Sequence, residues 1–274
     1  MAVFYTVFLA ATVSLLFIGD QADPASNTKK EVSVGPPAGY TLVWHDEFNG
    51  NVLDKSKWRH RALGPRRDAV NVSDAVSLDG NGHLLITTSK VGDEWHTGMI
   101  STAETFQTTF GYFEAKIRLQ TQVGHWSAFW LQTPDMGKFL GDPARAGVEI
   151  DVIEYLRNGR NKIIAHHNLH WDGYGKQHKH AGTKVKIPAL DDGRFHVFAL
   201  QWTPEEYVFF VDGRETWRTR AAVSHHPEFM LLSLEVGKWA GDIRKAKLPD
   251  SLVVDYVRVY KDAAKQQKQK DRNE

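Results

Sequence analysis

The chain predicts an all-β fold of the sandwich or barrel kind, and three observations carry that reading. Short runs of β-branched and aromatic residues recur along most of the sequence. Turn residues separate them at intervals of roughly 8–12 residues. No long stretch holds a helical period, and no internal repeat is visible.

Taken in order, "HLLITTSK" reads as a short strand, closed off by Gly80 and Gly82 before it. "FGYFEAKIRLQ" alternates with period two: Phe113, Ala115, Ile117 and Leu119 on a buried face, Tyr112, Glu114, Lys116 and Arg118 on a wetter one. "RFHVFALQW" follows the turn residues Asp191, Asp192 and Gly193. "YVFFVDGRETWR" sets Asp212-Gly213 between two β-runs, which predicts a two-residue hairpin. "LVVDYVRVY" closes the series.

The ends differ in composition from this body. Residues 1–27 hold an apolar run from Ala2 to Ile18 that turns abruptly polar, and they read as a secretory signal peptide with the start of a linker. The run falls short of the roughly 20 apolar residues that span a bilayer, so an uncleaved anchor is the alternative. Residues 28–38, with Pro36 and Pro37, read as linker, and 39–261 as one domain. The polar tail 262–274 is expected to be disordered.

The 274 residues include no cysteine, so no disulfide and no acylated lipoprotein anchor are possible; export fits a domain large enough to rest on its own core. A formal net charge of +1 with mixed signs along the chain gives no basis for a nucleic-acid partner. The expected location is secreted or periplasmic, and the expected state a monomer without a stable protein partner.

The chemistry concentrates in "GVEIDVIEY". On a regular strand Glu149 and Asp151 share a face, while Glu154, an odd number of steps away, points to the other. Three acidic groups on one strand can be no more than a solvated face. Here Val148, Ile150, Val152 and Ile153 imply a well-covered central strand, where carboxylates are costly unless bonded or functional. A β-bulge near Val152 or Ile153 would restore Glu154 to the side of Glu149 and Asp151. Two glutamates four regular steps apart, about 13 Å at Cα, can lean together to about 5–5.5 Å, the separation for retaining glycoside hydrolysis. Asp151 between them would tune the nucleophile.

Trp126, Trp130, Trp171 and Trp239 lie near loops or polar residues, placed either to fill a core or to present flat rings to a ligand. His166, His167, His170, His178 and His180 are numerous enough to raise a transition metal, but strand spacing scatters them to both faces.

The sequence resembles glycoside hydrolase family 16, the laminarinase and β-glucanase group of retaining endohydrolases. "EIDVIE" matches its bulged E-I-D-x-x-E signature. "LVWHDEFNG", "FGYFEAKIRLQ", "GHWSAFWL", "FHVFALQWTPEEYVFFVDG" and "VVDYVRVY" are similar, in order, to further motifs across 42–260. The resemblance implies a two-sheet jelly roll with an open concave cleft. It implies Glu149 as nucleophile, Asp151 as its helper and Glu154 as acid/base. It also implies Trp126 under the sugar at the cleavage point, Trp130 near it, Trp239 at the cleft and His170 beside Glu154. No cofactor is expected for catalysis. A structural calcium away from the cleft is implied, held by Glu47, the Gly82 carbonyl and Asp255.

Ser127, the loop "TPDMGKFLGDPARAG", Ser233 and Glu235 depart from the family pattern at positions expected to line or border the cleft. They leave the polysaccharide partner open between a β-1,3- or β-1,3-1,4-glucan and a red-algal galactan of the agarose, porphyran or carrageenan kind. A transglycosylase and a non-catalytic glucan-binding protein are the other readings, the latter disfavoured because Glu149 and Glu154 are both present.

Overall fold

A computed structural model of the chain describes Met1, residues 35–157 and residues 162–270, with the side chains of 268–270 left aside. The apolar leader and most of the linker therefore lie outside the described residues, as do residues 271–274. The described residues from 35 onward group into one unit.

Strands dominate, as the spacing of β-runs and turns predicts. One sheet runs, neighbour to neighbour, through Lys179–Lys186, Ile164–Trp171, Glu149–Leu156, His125–Gln132, Phe229–Val236, Glu94–Ser101 and Arg59–His60. A second runs through Arg214–Thr219, Tyr207–Val211, His196–Trp202, Gly111–Arg118 and Asp250–Asp262. The long last strand carries Leu84–Val91 and Tyr40–Asp46 on its far edge. Leu84–Val91 also pairs with Glu94–Ser101, which stitches the two sheets together.

The core lies between the sheets. Ile150 and Val152 of the central strand, Phe129 and Leu131 beside them, and Leu232 and Leu234 beyond, meet Phe113, Ile117, Phe198, Leu200 and Val257 from the second sheet. Each is fully or almost fully buried, so the apolar parity of these strands is what orients the sheets. The Asp212-Gly213 hairpin forms as expected, with φ of 49° and 73° at the two turn positions, the left-handed geometry that a two-residue loop requires.

Two expectations are corrected. Tyr112 and Glu114, assigned to a wetter face, are each 2% exposed. Rings at Tyr260 and Phe210 cover that face, and the Tyr260 hydroxyl donates to Glu114 at 3.2 Å. The polar tail, expected to be disordered, forms a helix over Ala263–Lys270. Its first turn is capped by Asp262, whose carboxylate accepts from the amides of Ala264 at 3.0 Å and Lys265 at 3.3 Å. Ala, Gln and Lys are strong helix formers, and a capped start is enough to set them in register.

Candidate active site

The central strand carries the bulge that its odd spacing demands. Against Ile164–Trp171, Asp151 faces Asn168 and Glu154 faces His166, so three steps on one strand match two on the other. Against His125–Gln132, the shift falls between Asp151 and Ile153. The extra residue turns Glu154 back, and Glu149, Asp151 and Glu154 line one cavity of about 610 Å³. Val152 and Ile153 remain buried.

A histidine fixes the distortion from behind. His167, fully buried, donates from Nδ1 to the Val152 carbonyl at 2.7 Å, while Nε2 faces the Thr216 hydroxyl at 2.9 Å. Burial holds this imidazole neutral, its pKa pushed down to about 4, and a neutral ring keeps one N–H to give to the carbonyl. A bulge strips a strand of regular ladder bonds, and here the freed carbonyl has a dedicated partner.

The three carboxyl groups sit in unequal surroundings. Glu154 accepts from the Asn168 amide at 2.7 Å. Burial is the larger influence and lifts its pKa to about 7, with Glu149 and Glu235 adding repulsion. Asp151 is 4% exposed, and burial first, then Glu154 and Glu149, drive it well above the carboxylate range. Its Oδ2 has no hydrogen-bond partner, although the His170 ring lies 3.5 Å away. Glu149 is raised by burial too, but the Tyr174 hydroxyl and the Gln132 amide both pull it back. Three close carboxyls cannot all ionise, so the site divides them into proton holders and an anion.

The walls of the cleft come from neighbouring strands. Trp126 and Trp130 line it, as the resemblance implies, with Trp130 donating to Ser233 Oγ at 3.2 Å. Trp239 stands edge-on to Trp126 at 5.5 Å between ring centroids. Ser233 and Glu235 line the cavity. Ser127 does not border it: alternation turns its hydroxyl to Gln120, which accepts at 2.6 Å. His170 is also displaced from its expected place. Antiparallel register sets it opposite Glu149, and the neighbours of Glu154 are His166 and Asn168.

Sequence reasoning passed over several contributors. Tyr174 and Gln132 reach Glu149, Asn168 reaches Glu154, and Arg61, Arg66 and Arg67 form one wall. Asn168 shares a strand face with His170 and was findable by parity. Nothing in "WRHRALGPRRD" marks the arginines as cleft residues; Glu235, the partner of Arg66 and Arg67, lies far along the chain.

The histidines divide as alternation predicts. His167 faces the core side, while the rings of His170, His178 and His180 stack with centroids 5.0–6.3 Å apart. The calcium positions do not fit that ion through their side chains. Arg258 holds the Glu47 carboxylate at 2.8 and 2.9 Å, and Lys116 holds Asp255 at 2.6 Å. A calcium ion would have to displace a cation from each.

Comparison with known proteins meets this geometry directly. The model of the glycosyl hydrolases family 16 matches residues 65–258. The chain belongs to that family. It is 28% identical over 240 residues to a keratan-sulfate endo-1,4-β-galactosidase of Sphingobacterium multivorum, covering 81% of this chain and 55% of that protein. A β-glucanase of Rhodothermus marinus is 29% identical, with 81% and 85% covered. Among solved structures, the laminarinase catalytic domain of Thermotoga maritima superposes with a TM-score of 0.68 at 25% identity, over 81% of this chain and 98% of that one. The family 16 chain spans about half the length of the first two curated relatives, 55% and 43%.

Proposed function

We propose that the protein is a retaining endo-hydrolase of β-glycosidic bonds in a polysaccharide, a β-1,3- or β-1,3-1,4-glucan being the first choice. The observation that carries this reading is the bulge, which aims Glu149, Asp151 and Glu154 into one cleft with Glu154 lifted to about 7. In the first step a Glu149 oxygen attacks the anomeric carbon. The glycosidic C–O bond breaks, and its oxygen takes the Glu154 proton. In the second step Glu154 takes a proton from water, whose oxygen displaces Glu149 and restores the starting configuration. Asp151, pushed well above the ordinary carboxylate range by burial and its two neighbours, is disfavoured as an anion and so keeps negative charge low beside the nucleophile.

The names of relatives support a glucan, among them a β-glucanase and a glucan endo-1,3-β-glucosidase. A galactan is the second reading, favoured by the arginine wall. Arg61, Arg66 and Arg67 line the cleft, only Arg66 and Arg67 share the Glu235 carboxylate, and Arg66 Nε is buried without a partner. Such a wall suits a sulfated or otherwise anionic chain, and a β-porphyranase is among the relatives. The apolar leader supports export to the polysaccharide.

Incubation with laminarin, mixed-linkage glucan, agarose and porphyran, with the first-formed anomer followed by NMR, tests the reading. Release of β-configured oligosaccharides from one of them is expected. Inverted products, or none from any polymer, would overturn it.

A further inference from the structure

The segment Asp172–His178, just past the end of the strand Ile164–Trp171, brings one side chain onto the nucleophile position. The Tyr174 hydroxyl donates to Glu149 Oε2. The Gln132 amide donates to the same oxygen at 3.1 Å and to the Tyr174 hydroxyl oxygen at 2.6 Å. The proton count closes: the two amide hydrogens of Gln132 and the one phenolic hydrogen of Tyr174 are all used. None of these bonds involves Oε1.

The pose of Tyr174 is not set by core packing, since the residue is 62% exposed. It is set by its backbone and by its hydroxyl. Asp172, 4% exposed, accepts from the Gly141 amide at 2.8 Å and pairs with Lys179 at 2.9 Å. Gly137 lies so close to Gly173 that a Cβ added at Gly137 would fall 2.9 Å from the Gly173 Cα. The long loop before the catalytic strand thus braces the segment that carries Tyr174. On its other side the Tyr174 ring leans toward His178, 6.2 Å between centroids, and His178 stacks on His170.

We propose that Tyr174 is a positioning residue for the nucleophile: with Gln132 it pins Oε2 of Glu149, leaving Oε1 as the attacking oxygen. The inference rests on Glu149 acting as nucleophile. The pin aligns the carboxylate for attack and favours its ionised form, because a donor to a carboxylate stabilises the anion. When Oε1 forms the ester, charge leaves the carboxylate and the bond from Tyr174 weakens. It strengthens again as water displaces the sugar and the carboxylate departs.

Tyr174→Phe removes one oxygen and keeps the ring. It is expected to lower kcat by about 10- to 100-fold, with KM changed by less than about threefold. The acid limb of kcat/KM should move to higher pH, since the lost donor had been lowering the Glu149 pKa. Other charged or titratable groups that influence Glu149 are Asp151 and Glu154 on its own strand, Glu235 on Phe229–Val236, Arg66 on the facing wall and His170 on the neighbouring strand. All stay in place in this variant. Asp172→Ala, which unties the brace and leaves the hydroxyl present, should shift the same quantities less.

NMR titration of the labelled Glu149 carboxyl in the full chain reads the pin without any substrate. Its pKa should be higher in Tyr174→Phe than in the parent. An unchanged pKa overturns the proposal even if the parent cleaves polysaccharide, as does a raised KM with unchanged kcat, the signature of a stacking surface. A parent that cleaves nothing while the pKa still shifts would sink the hydrolase reading and leave the pin standing.

Discussion

Two groups of carboxylates in this molecule have opposite surroundings. In the second sheet, Glu47 lies in the grip of Arg258 and Asp255 in that of Lys116. The Arg258 hydrogen bonds hold Glu47 below the ordinary carboxylate range. In the cleft, the buried Asp151 and the half-buried Glu149 and Glu154 sit beside one another and beside Glu235, and all three are pushed up. A cation beside a carboxylate keeps it ionised, as Arg258 does for Glu47; where desolvation outweighs such partners, as at Glu154, the pKa climbs toward neutrality.

The largest break in this contrast is expected at the two glutamates. Glu149→Ala should abolish hydrolysis yet leave sugar binding largely intact. Glu154→Ala should lower turnover of natural polysaccharide by about 10²- to 10⁴-fold, while substrates with a good leaving group still form the glycosyl-enzyme. Azide added to Glu154→Ala should release a glycosyl azide of retained configuration, and added to Glu149→Ala the inverted one. Chromatography and NMR of the products decide; the same anomer from both would reverse the roles. In the parent, activity should fall as pH rises through about 7, because Glu154 must hold its proton to serve as the acid.

The brace behind the bulge comes next. His167→Ala leaves the Val152 carbonyl buried without its donor and opens a cavity, at a cost of about 2–3 kcal/mol. Urea unfolding measures this, and a loss below about 0.5 kcal/mol would show that the bulge holds itself. Asn168→Ala is a smaller perturbation. Turnover should drop about tenfold, and the alkaline limb should move up, since the lost amide had favoured the ionised form of Glu154.

The Glu47–Arg258 pair should matter least. Glu47→Gln is expected to cost about 1 kcal/mol or less, as for a partly exposed ion pair. The folded pKa of Glu47 is depressed. Its stabilisation is therefore present above the unfolded pKa and lost as pH falls through the folded one. Excess chelator should leave the melting temperature unchanged. A drop in melting would show that calcium displaces Lys116 and Arg258 after all.

The sequence made the fold legible because alternation and turn chemistry are local. "FGYFEAKIRLQ" and Asp212-Gly213 each declare their structure within a dozen residues. The bulge was legible for a related reason: only an inserted residue reconciles an odd spacing with one shared face. What stayed hidden depends on register between distant segments. Tyr174 reaches Glu149 because two loops lock through Asp172 and Gly141, and Arg66 and Arg67 converge because Glu235 receives both. The position of His170 failed for the same reason, since its partner is chosen by how two strands align. Glu47 and Asp255 read as metal ligands only while Arg258 and Lys116 were out of view.

The first and last strands carry one further consequence. Tyr40 pairs with Asp262 and Asp46 with Val257, in the sheet that does not form the cleft. Entry to and exit from the domain are thus hydrogen-bonded neighbours, about 5 Å apart at Cα. Such a domain can be spliced into a longer chain as a cassette, or rejoined end to end and reopened elsewhere, without a segment crossing the substrate groove.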